Sequence, residues 1–208
     1  MFDFENVGGF VFDCDGTLLD TIGAWDEAEE GLFSQIGPMT EEQENEIHAA
    51  PIERAAEILH KRYGVGASSA DVLAHFDNFL IPYYGEKSDP MIGAIEFVHA
   101  ARSHGIPCVV VSSSPRRYLE AGLRRAGILD CFSALISTDE VGASKQDFAI
   151  YEVAERELGC NRDRIWAIDD APYAIAVMHE FGMNTICVGQ RHSEFADVDI
   201  ETLAELLS

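Results

Sequence analysis

Long apolar runs are missing from this sequence, and so is a basic N-terminus. The apolar runs are short, for example residues 108–111, and none approaches the roughly 20 residues that a membrane-spanning helix needs. Residues 1–5 carry acid where a secretory signal carries Lys or Arg, and neither an apolar stretch nor a cleavage site of small residues follows them. We therefore expect a soluble protein that remains in the cytoplasm and has no membrane partner.

Paired cysteines and basic residues are also scarce. The five cysteines lie far apart, at positions 14, 108, 131, 160 and 187, without a CxxC pair, which favours reduced core thiols over a disulfide framework or a zinc site. Only 14 Lys and Arg residues stand against 37 Asp and Glu residues, so the formal net charge is -23. This charge repels nucleic acid and anionic lipid, because binding either one requires clustered cations. We expect no nucleic-acid partner.

Strands and helices alternate along most of the 208 residues, and this alternation predicts the fold. Short, almost continuously apolar segments that suit buried strands are each followed by a segment with helical periodicity. The first helix after residue 88 is expected to have Asp89 as its N-cap and Pro90 at its first position. The pattern favours an α/β fold with a doubly wound, Rossmann-like parallel sheet. The predicted strands span residues 7–12, 106–111, 134–136, 165–168 and 185–188, and the predicted helices 89–105, 115–126, 146–158 and 172–181.

An all-helical insert interrupts this alternation after the first strand. No segment between residues 21 and 87 suits a strand, and its 13 acids against 4 bases suit a solvated outer surface. The last predicted helix should end near Ile81, because Pro82 follows. The predicted helices of the insert span 25–35, a segment starting at residue 40, 51–63 and 69–81. We therefore expect two domains, a core of residues 1–20 and 89–208 and a helical cap of residues 21–88.

Polar side chains follow four of the predicted strands, at their carboxyl ends. Ligands of open α/β sheets bind outside these ends. Since all four ends face one edge of the sheet, we expect the polar side chains to converge on one site. They are Asp13 and Asp15, Ser112 to Ser114, Lys145, and the pair Asp169 and Asp170.

The acidic residues favour a nucleophile and a metal site. Asp13 and Asp15 are two apart on an extended segment, so they point the same way, about 7 Å apart. One can attack phosphorus while the other moves protons. Asp169 and Asp170 return to the same edge, and four clustered carboxylates suit Mg²⁺. The alternatives are an acidic strand end that only meets solvent and, for Asp170, capping of the next helix.

The serines and Lys145 suit an anion. Ser112 and Ser113 lie where a strand ends and a helix begins, so their hydroxyls and N–H groups suit a negative ligand. Ser114, before Pro115, suits helix capping instead. Lys145 is one of only three lysines and would add a point charge, although taken alone it is typical of a solvated surface residue.

The segment Phe12-Asp13-Cys14-Asp15-Gly16-Thr17-Leu18 resembles the first motif of the haloacid dehalogenase-like (HAD) hydrolases, and the other three strand ends are similar to the family's remaining motifs, in order. The insert resembles the C1 cap of the phosphoglycolate phosphatase and β-phosphoglucomutase branch. By position, the resemblance implies a first Asp that is the nucleophile, a second that is the acid/base, and Mg²⁺ as cofactor. It implies these roles for Asp13, Asp15, Ser112, Lys145 and Asp170, with Asp169 supporting the metal either directly or through another ligand. Together with the residue types, the prediction is Asp13, Asp15, Ser112 and Lys145 as catalytic residues, Ser112, Ser113 and Lys145 as substrate-binding residues, and Asp13, Asp15, Asp169 and Asp170 as metal residues.

Two features depart from the family pattern. Lys145 is followed by Gln146-Asp147-Phe148, where relatives usually have Lys-Pro-x-Pro. Trp25 aligns with the cap histidine of the β-phosphoglucomutase relatives, which disfavours a mutase. Trp25, Tyr83 and Tyr84 of the insert suit either a substrate entrance or plain packing, and packing is the commoner role of such residues.

The sequence thus predicts a Mg²⁺-dependent phosphatase that hydrolyses a small phosphorylated metabolite through an aspartyl-phosphate. The alternative within enzymes is a sugar phosphomutase of the β-phosphoglucomutase type. A haloacid dehalogenase is disfavoured, because Asp15 offers a proton donor that halide departure does not need. An alternative of a different class is a non-catalytic phospho-acceptor module, since response-regulator receivers also combine acids, a hydroxyl and Lys at strand ends. Receivers are much shorter and lack the helical insert.

Overall fold

Six parallel strands form the central sheet of the computed structural model, which describes residues 2–48 and 50–208. They are β1 (Gly9–Phe12), β4 (Cys108–Ser112), β5 (Ala134–Ser137), β6 (Ile165–Asp169), β7 (Asn184–Val188) and β8 (Val198–Ile200), and two further short strands, β2 (Leu19–Asp20) and β3 (Asp89–Pro90), form a separate pair. The order in the sheet is β5-β4-β1-β6-β7-β8, and every neighbouring pair is parallel. The predicted doubly wound parallel sheet is confirmed.

Helices cover both faces of the sheet, because alternate strand residues point to opposite faces. Phe10 and Phe12 of β1 belong to an apolar cluster that continues into the insert, whereas Val11 between them belongs to a second, separate cluster. No helix among the described residues has the length and apolar character to span a bilayer. The helices are α1 (Ile22–Phe33), α2 (Glu41–His48), α3 (Ile52–Tyr63), α4 (Ser69–Glu86), α5 (Ala94–Ser103), α6 (Arg116–Arg125), α7 (Thr138–Val141), α8 (Phe148–Leu158) and α9 (Pro172–Phe181).

The helices α1 to α4 form the insert, and the chain enters and leaves it side by side. Strands β2 and β3 pair antiparallel, with Leu19 opposite Pro90 and Asp20 opposite Asp89. This pair lies where both predicted domain boundaries fall. It supports the division into core and cap, which stays a proposal.

The predicted end of α4 before Pro82 is wrong, since the helix continues to Glu86. An interior proline costs a helix about 3 kcal/mol. Here Pro82 is exposed, while Phe76, Leu80 and Tyr84 repeat at intervals of four residues and are buried. Burial of this face outweighs the loss at the proline.

The predicted helix start at Asp89 and Pro90 is also wrong, because these residues form β3 and α5 begins at Ala94. Gly93 provides the turn between them, with φ of 82°. A Cβ on Gly93 would lie 2.1 Å from the backbone nitrogen of Ala204, so only glycine allows the C-terminal segment to approach here.

The edge strand β8 was not predicted. It has only three residues, too few for a recognisable pattern, and its position depends on pairing with β7. The other predicted elements begin and end within three residues of the observed ones.

Candidate active site

A cavity of about 320 Å³ lies between the insert and the carboxyl ends of β1, β4 and β6. This is the switch point of the sheet, where the order of the strands changes direction. Strands β4 and β5 lie on one side of β1, and strands β6, β7 and β8 lie on the other. The core contributes mainly acids, serines and cations to the lining, whereas most lining residues of the insert are apolar. Every site residue predicted from the sequence lines this cavity.

Lys145 is buried between two carboxylates. Its Nζ lies 2.5 Å from Asp13 Oδ1 and 2.8 Å from Asp169 Oδ2, and its side chain is 6% exposed. Burial lowers the pKa of Lys145, but the charges of Asp13 and Asp169 outweigh this and hold that pKa well above its ordinary value. Lys145 is therefore a fixed cation in the cavity and not a solvated surface lysine.

The loop that presents Lys145 is ordered without the prolines usual in relatives. Ser144 donates to Asp147 Oδ2 from its backbone N–H at 3.0 Å and from its hydroxyl at 2.9 Å. Tyr151 of α8 donates to the carbonyl oxygen of Lys145 at 2.8 Å. The Asp147 side chain thus holds residues 144–147 in a turn, and Asp147 is the N-cap residue of α8. The helix therefore begins at Phe148 and not at residue 146 as predicted.

Asp13, Asp169 and Asp170 form a carboxylate cluster. Each offers one oxygen, and the three oxygens lie within 4.8 Å of one another. Burial, and then the charge of Asp169, raises the pKa of Asp170 to about 6. Asp170 does not cap α9, because Asp169 Oδ1 instead accepts from the N–H of Ala171, the N-cap residue, at 2.9 Å. We call these three acids and Lys145 the ionic half of the site.

One cation against three carboxylates leaves the ionic half with excess negative charge. Oxygen ligands of this kind suit a hard divalent cation such as Mg²⁺, which binds through one or two carboxylates, water and substrate phosphate. The donor set of the ionic half therefore fits the metal that the sequence predicted.

Asp15 lies in different surroundings, among hydroxyls. Its Oδ1 accepts from Thr21 Oγ1 at 2.6 Å and from the phenol O–H of Tyr84. Its Oδ2 accepts from Ser114 Oγ at 2.6 Å and from Ser112 Oγ at 3.3 Å. The carboxylate cluster found in the described part of the chain does not include Asp15. We call Asp15 and these four donors the hydroxyl half of the site.

The three predicted serines have three different roles. Ser112 is buried, and its hydroxyl also accepts from the N–H of Ser114 at 2.9 Å. Ser113 is exposed and lines the cavity. The capping prediction for Ser114 is wrong, since Pro115 is the N-cap residue of α6 and the Ser114 hydroxyl donates to Asp15. A charged acceptor makes a stronger hydrogen bond than a neutral one, which favours this contact.

Sequence reasoning missed Thr21 and Arg191 as site residues, and it offered Tyr84 only as an entrance or packing residue and not as a partner of Asp15. Thr21 precedes α1, and Tyr84 is 69 positions away from its partner Asp15. Arg191 lines the cavity with Nη1 4.0 Å from Asp170 Oδ2. None of the three belongs to a local motif, so no pattern in the sequence identifies them.

The three aromatic residues of the insert that the sequence analysis singled out lie in three different environments. Trp25 lines the cavity, as an entrance residue would. Tyr84 is fully buried and contacts Asp15. Tyr83 stacks on Phe79, with ring centroids 6.5 Å apart, and does not line the cavity.

The doubly wound sheet, the acidic motif after its first strand and the helical insert agree with the resemblance that the sequence indicated. The family model of the haloacid dehalogenase-like hydrolases matches residues 7–182, so the chain belongs to this family and is an enzyme of the hydrolase class.

Three relatives illustrate the branch. The chain is 27% identical over 195 residues to validoxylamine A 7'-phosphate phosphatase of Streptomyces hygroscopicus subsp. limoneus, covering 94% of this chain and 89% of the relative. It is 26% identical over 206 residues to hexitol phosphatase B of Escherichia coli (strain K12), covering 94% and 92%. A solved β-phosphoglucomutase structure from Clostridium difficile, 18% identical, has the same fold with a TM-score of 0.79 over 96% and 93% of the two chains. The predicted resemblance to the C1-capped branch is confirmed.

Proposed function

We propose that this protein is a Mg²⁺-dependent phosphatase that hydrolyses a small phosphorylated metabolite through an aspartyl-phosphate. The observation that most supports this is the 2.5 Å contact between Lys145 Nζ and Asp13 Oδ1, in a cavity that Asp15 also lines. A carboxylate beside a fixed cation, with a second carboxylate in reach of the same cavity, provides a nucleophile and a proton-transfer group. The two phosphatase relatives support the same reaction class.

In the first step, a carboxylate oxygen of Asp13 attacks phosphorus. The bond between phosphorus and the leaving oxygen breaks as the bond to Asp13 forms, and Asp15 donates a proton to the departing alkoxide. Lys145 and the donors of Ser112 and Ser113 at the end of β4 offset negative charge on the phosphoryl oxygens. Electrostatic stabilisation of this kind is the largest contribution to catalysis in such reactions.

In the second step, water replaces Asp13 on phosphorus. Asp15, now deprotonated, accepts a proton from the attacking water. The bond between phosphorus and Asp13 breaks, which releases inorganic phosphate and restores the free carboxylate.

Mg²⁺ would be held by Asp13, Asp169 and Asp170, whose oxygens lie within 4.8 Å of one another. When bound, it supplies electrostatic stabilisation of charge on the phosphoryl group. Asp15 is the fourth acid that the sequence assigns to the metal. Its carboxylate accepts from the hydroxyls of Thr21 and Ser114, and its place among the metal residues stays a prediction.

The cavity volume supports a small partner. About 320 Å³ suits a metabolite and not a macromolecule. The net charge of -23 disfavours nucleic acid as a substrate. Five free thiols agree with the proposed cytoplasmic location, a reducing compartment.

Phosphate release from a panel of sugar phosphates, phosphoglycolate and nucleotides tests the proposal. We expect release to stop with EDTA and to return with Mg²⁺. Asp13→Asn should lower kcat by several orders of magnitude, because an amide cannot attack phosphorus. Asp130→Asn, at an exposed position outside the cavity lining, is the matched control. Asp13→Asn activity within about tenfold of wild type would contradict the covalent mechanism, and activity unchanged by EDTA would contradict the metal.

The same assay separates the phosphatase from the mutase. Trp25 does not titrate, and its one N–H already donates to Tyr84 at 2.8 Å, so it cannot replace a proton-linked histidine. We expect inorganic phosphate in the same amount as phosphomonoester consumed. β-Glucose 1-phosphate with a bisphosphate primer should give no appreciable glucose 6-phosphate. Isomer formed faster than phosphate would favour the mutase.

A further inference from the structure

The insert reaches the acid/base residue through a fully buried tyrosine. Tyr84 of α4 donates from its phenol O–H to Asp15 Oδ1, and Trp25 of α1 donates from Nε1 to the Tyr84 oxygen at 2.8 Å. We propose that Tyr84 is a positioning residue, which holds the Asp15 carboxylate in the orientation that reaches the leaving oxygen, and that Trp25 fixes Tyr84. This inference rests on the proposed function, since it assigns Asp15 the proton transfer.

The number of hydrogens sets the direction of these hydrogen bonds. Trp25 Nε1 has one hydrogen and no lone pair to offer, so the Tyr84 oxygen must accept from it. Tyr84 then has one hydrogen to donate, and Asp15 Oδ1 is the acceptor beside it. Ser114 Oγ lies 3.5 Å from the Tyr84 oxygen, but it has a better acceptor of its own in Asp15 Oδ2 at 2.6 Å. The order therefore runs from Trp25 through Tyr84 to Asp15.

Packing fixes the ring of Tyr84. A Cβ on Gly122 of α6 would lie 3.0 Å from Tyr84 Cδ1 and 2.5 Å from Leu19 Cδ1, so glycine is what lets α6 approach this ring. The ring of Tyr118 lies 5.5 Å away, centroid to centroid. The backbone is held as well, since Ser88 Oγ donates to the Tyr84 carbonyl at 2.7 Å. A ring held in this way presents its hydroxyl at one position.

The hydrogen-bonded series from Trp25 through Tyr84 to Asp15, which we call the relay, also joins two parts of the cavity wall. Two of the other donors to Asp15 lie at the carboxyl end of β4 in the core, Ser112 as its last residue and Ser114 two residues later. Tyr84 belongs to the last helix of the insert. Trp25 lines the cavity itself. The insert supplies one wall of the cavity, and this chain of contacts connects that wall with Asp15. It therefore makes the orientation of Asp15 depend on residues of the insert.

Two probe substrates of nearly equal shape test the inference. p-Nitrophenyl phosphate releases a phenoxide that departs without a proton, whereas p-nitrobenzyl phosphate releases an alkoxide that needs one. The measured quantity is kcat/KM for phosphate release, which reports the step that cleaves the substrate and excludes the later hydrolysis of the aspartyl-phosphate. For Tyr84→Phe we expect a loss of about 10-fold to 100-fold with the benzyl ester and less than about threefold with the phenyl ester.

Three further variants make the result specific. Asp15→Asn should show the same selective loss with a larger magnitude, and adding Tyr84→Phe to it should change the selectivity no further, because both act on one group. Tyr83→Phe, one position away and outside the cavity lining, should leave both values unchanged. Trp25→Phe should give a smaller selective loss, and it tests the relay without altering the buried phenol.

The outcomes are distinguishable. The positioning role of Tyr84 would be overturned if Tyr84→Phe lost the same factor with both esters or lost nothing. It would also be overturned if Tyr84→Phe lowered the selectivity of the Asp15→Asn variant further. The phosphatase proposal would stand in each case. If the wild-type enzyme released phosphate from neither ester nor from any member of the phosphomonoester panel, the proposed function itself would fail. Should Tyr84→Phe lower the melting temperature too far to assay, the selectivity of Trp25→Phe decides, and its absence would overturn the relay.

Discussion

Asp13 and Asp15 are two residues apart, yet the two halves of the site give them opposite surroundings. In the ionic half, Asp13 lies 2.5 Å from a buried ammonium and close to two more carboxylates. In the hydroxyl half, Asp15 accepts from four neutral hydroxyls. A hydroxyl both donates and accepts, so the hydroxyls around Asp15 can pair with its charged or its protonated form, whereas the Lys145 ammonium can only donate and favours a charged Asp13. One carboxylate therefore suits charge stabilisation and nucleophilic attack, and the other suits proton transfer.

Lys145→Met breaks the ionic half and should have the largest effect. Without the ammonium, Asp13 and Asp169 are buried without their cation, and loss of one partner of a buried pair costs about 3–5 kcal/mol. We expect kcat/KM to fall about 100-fold to 1000-fold and the urea midpoint to fall with it. Lys87→Met, at an exposed position, is the control. A free energy of unfolding within about 1 kcal/mol of wild type would show that Lys145 does not hold the carboxylates.

Thr21→Val weakens the hydroxyl half and should have a smaller effect. It removes one donor at 2.6 Å from Asp15 and leaves the other three. Hydrogen bonds to charged groups contribute about 1.5–3 kcal/mol, so we expect kcat/KM to fall about tenfold. Thr17→Val is a matched control, because the buried Thr17 hydroxyl has no hydrogen-bond partner among the described residues. Equal losses in the two variants would show that the contact of Thr21 with Asp15 is not the cause.

Asp139→Asn extends the comparison to an acid outside the cavity and should have the smallest effect. Burial, and then the charge of Glu53, raises the pKa of Asp139 to about 6. This lies above the value of about 3.9 in an unfolded chain, so the folded state loses stability as the pH rises through about 6. The side chain is only half-buried, so we expect Asp139→Asn to be more stable than wild type by about 1 kcal/mol at pH 8.

Urea unfolding of both proteins at pH 5 and pH 8 measures this gain, which should shrink at the lower pH. Asp130→Asn serves as the exposed control. A gain of equal size at both pH values would contradict a titration of Asp139.

The ionic half could be predicted from the sequence, whereas Asp15 and Ser112 of the hydroxyl half could be predicted as site residues but their hydrogen-bond partners could not. Asp13 follows β1, Asp169 ends β6 and Lys145 lies in the segment between β5 and α8. A parallel sheet brings the carboxyl ends of its strands to one edge. Tyr84 reaches Asp15 only because α4 packs against α6, a tertiary contact that leaves no local pattern. Ser114 was assigned to capping because its local context suits a cap, while its true acceptor lies 99 positions away.

The same limit explains the errors in the fold. Pro82 is a local stop signal that burial of the opposite face of α4 overrides. Asp89 and Pro90 have the residue types of a helix start, but pairing with Leu19 and Asp20 places them in a strand. Local signals were reliable where no distant contact competed with them.

The short pair of β2 and β3 has a consequence for how the molecule can be rebuilt. Because Asp20 and Asp89 stand opposite each other, the two ends of the insert are already neighbours, and the core continues on either side of them without a detour. A short turn that joins Asp20 directly to Asp89 could replace the insert without moving the core. A different insert could also be joined at the same two residues. Replacing the helical insert between these two points would therefore change the mostly apolar residues that it adds to the cavity lining, while the acids, serines and Lys145 of the core would remain.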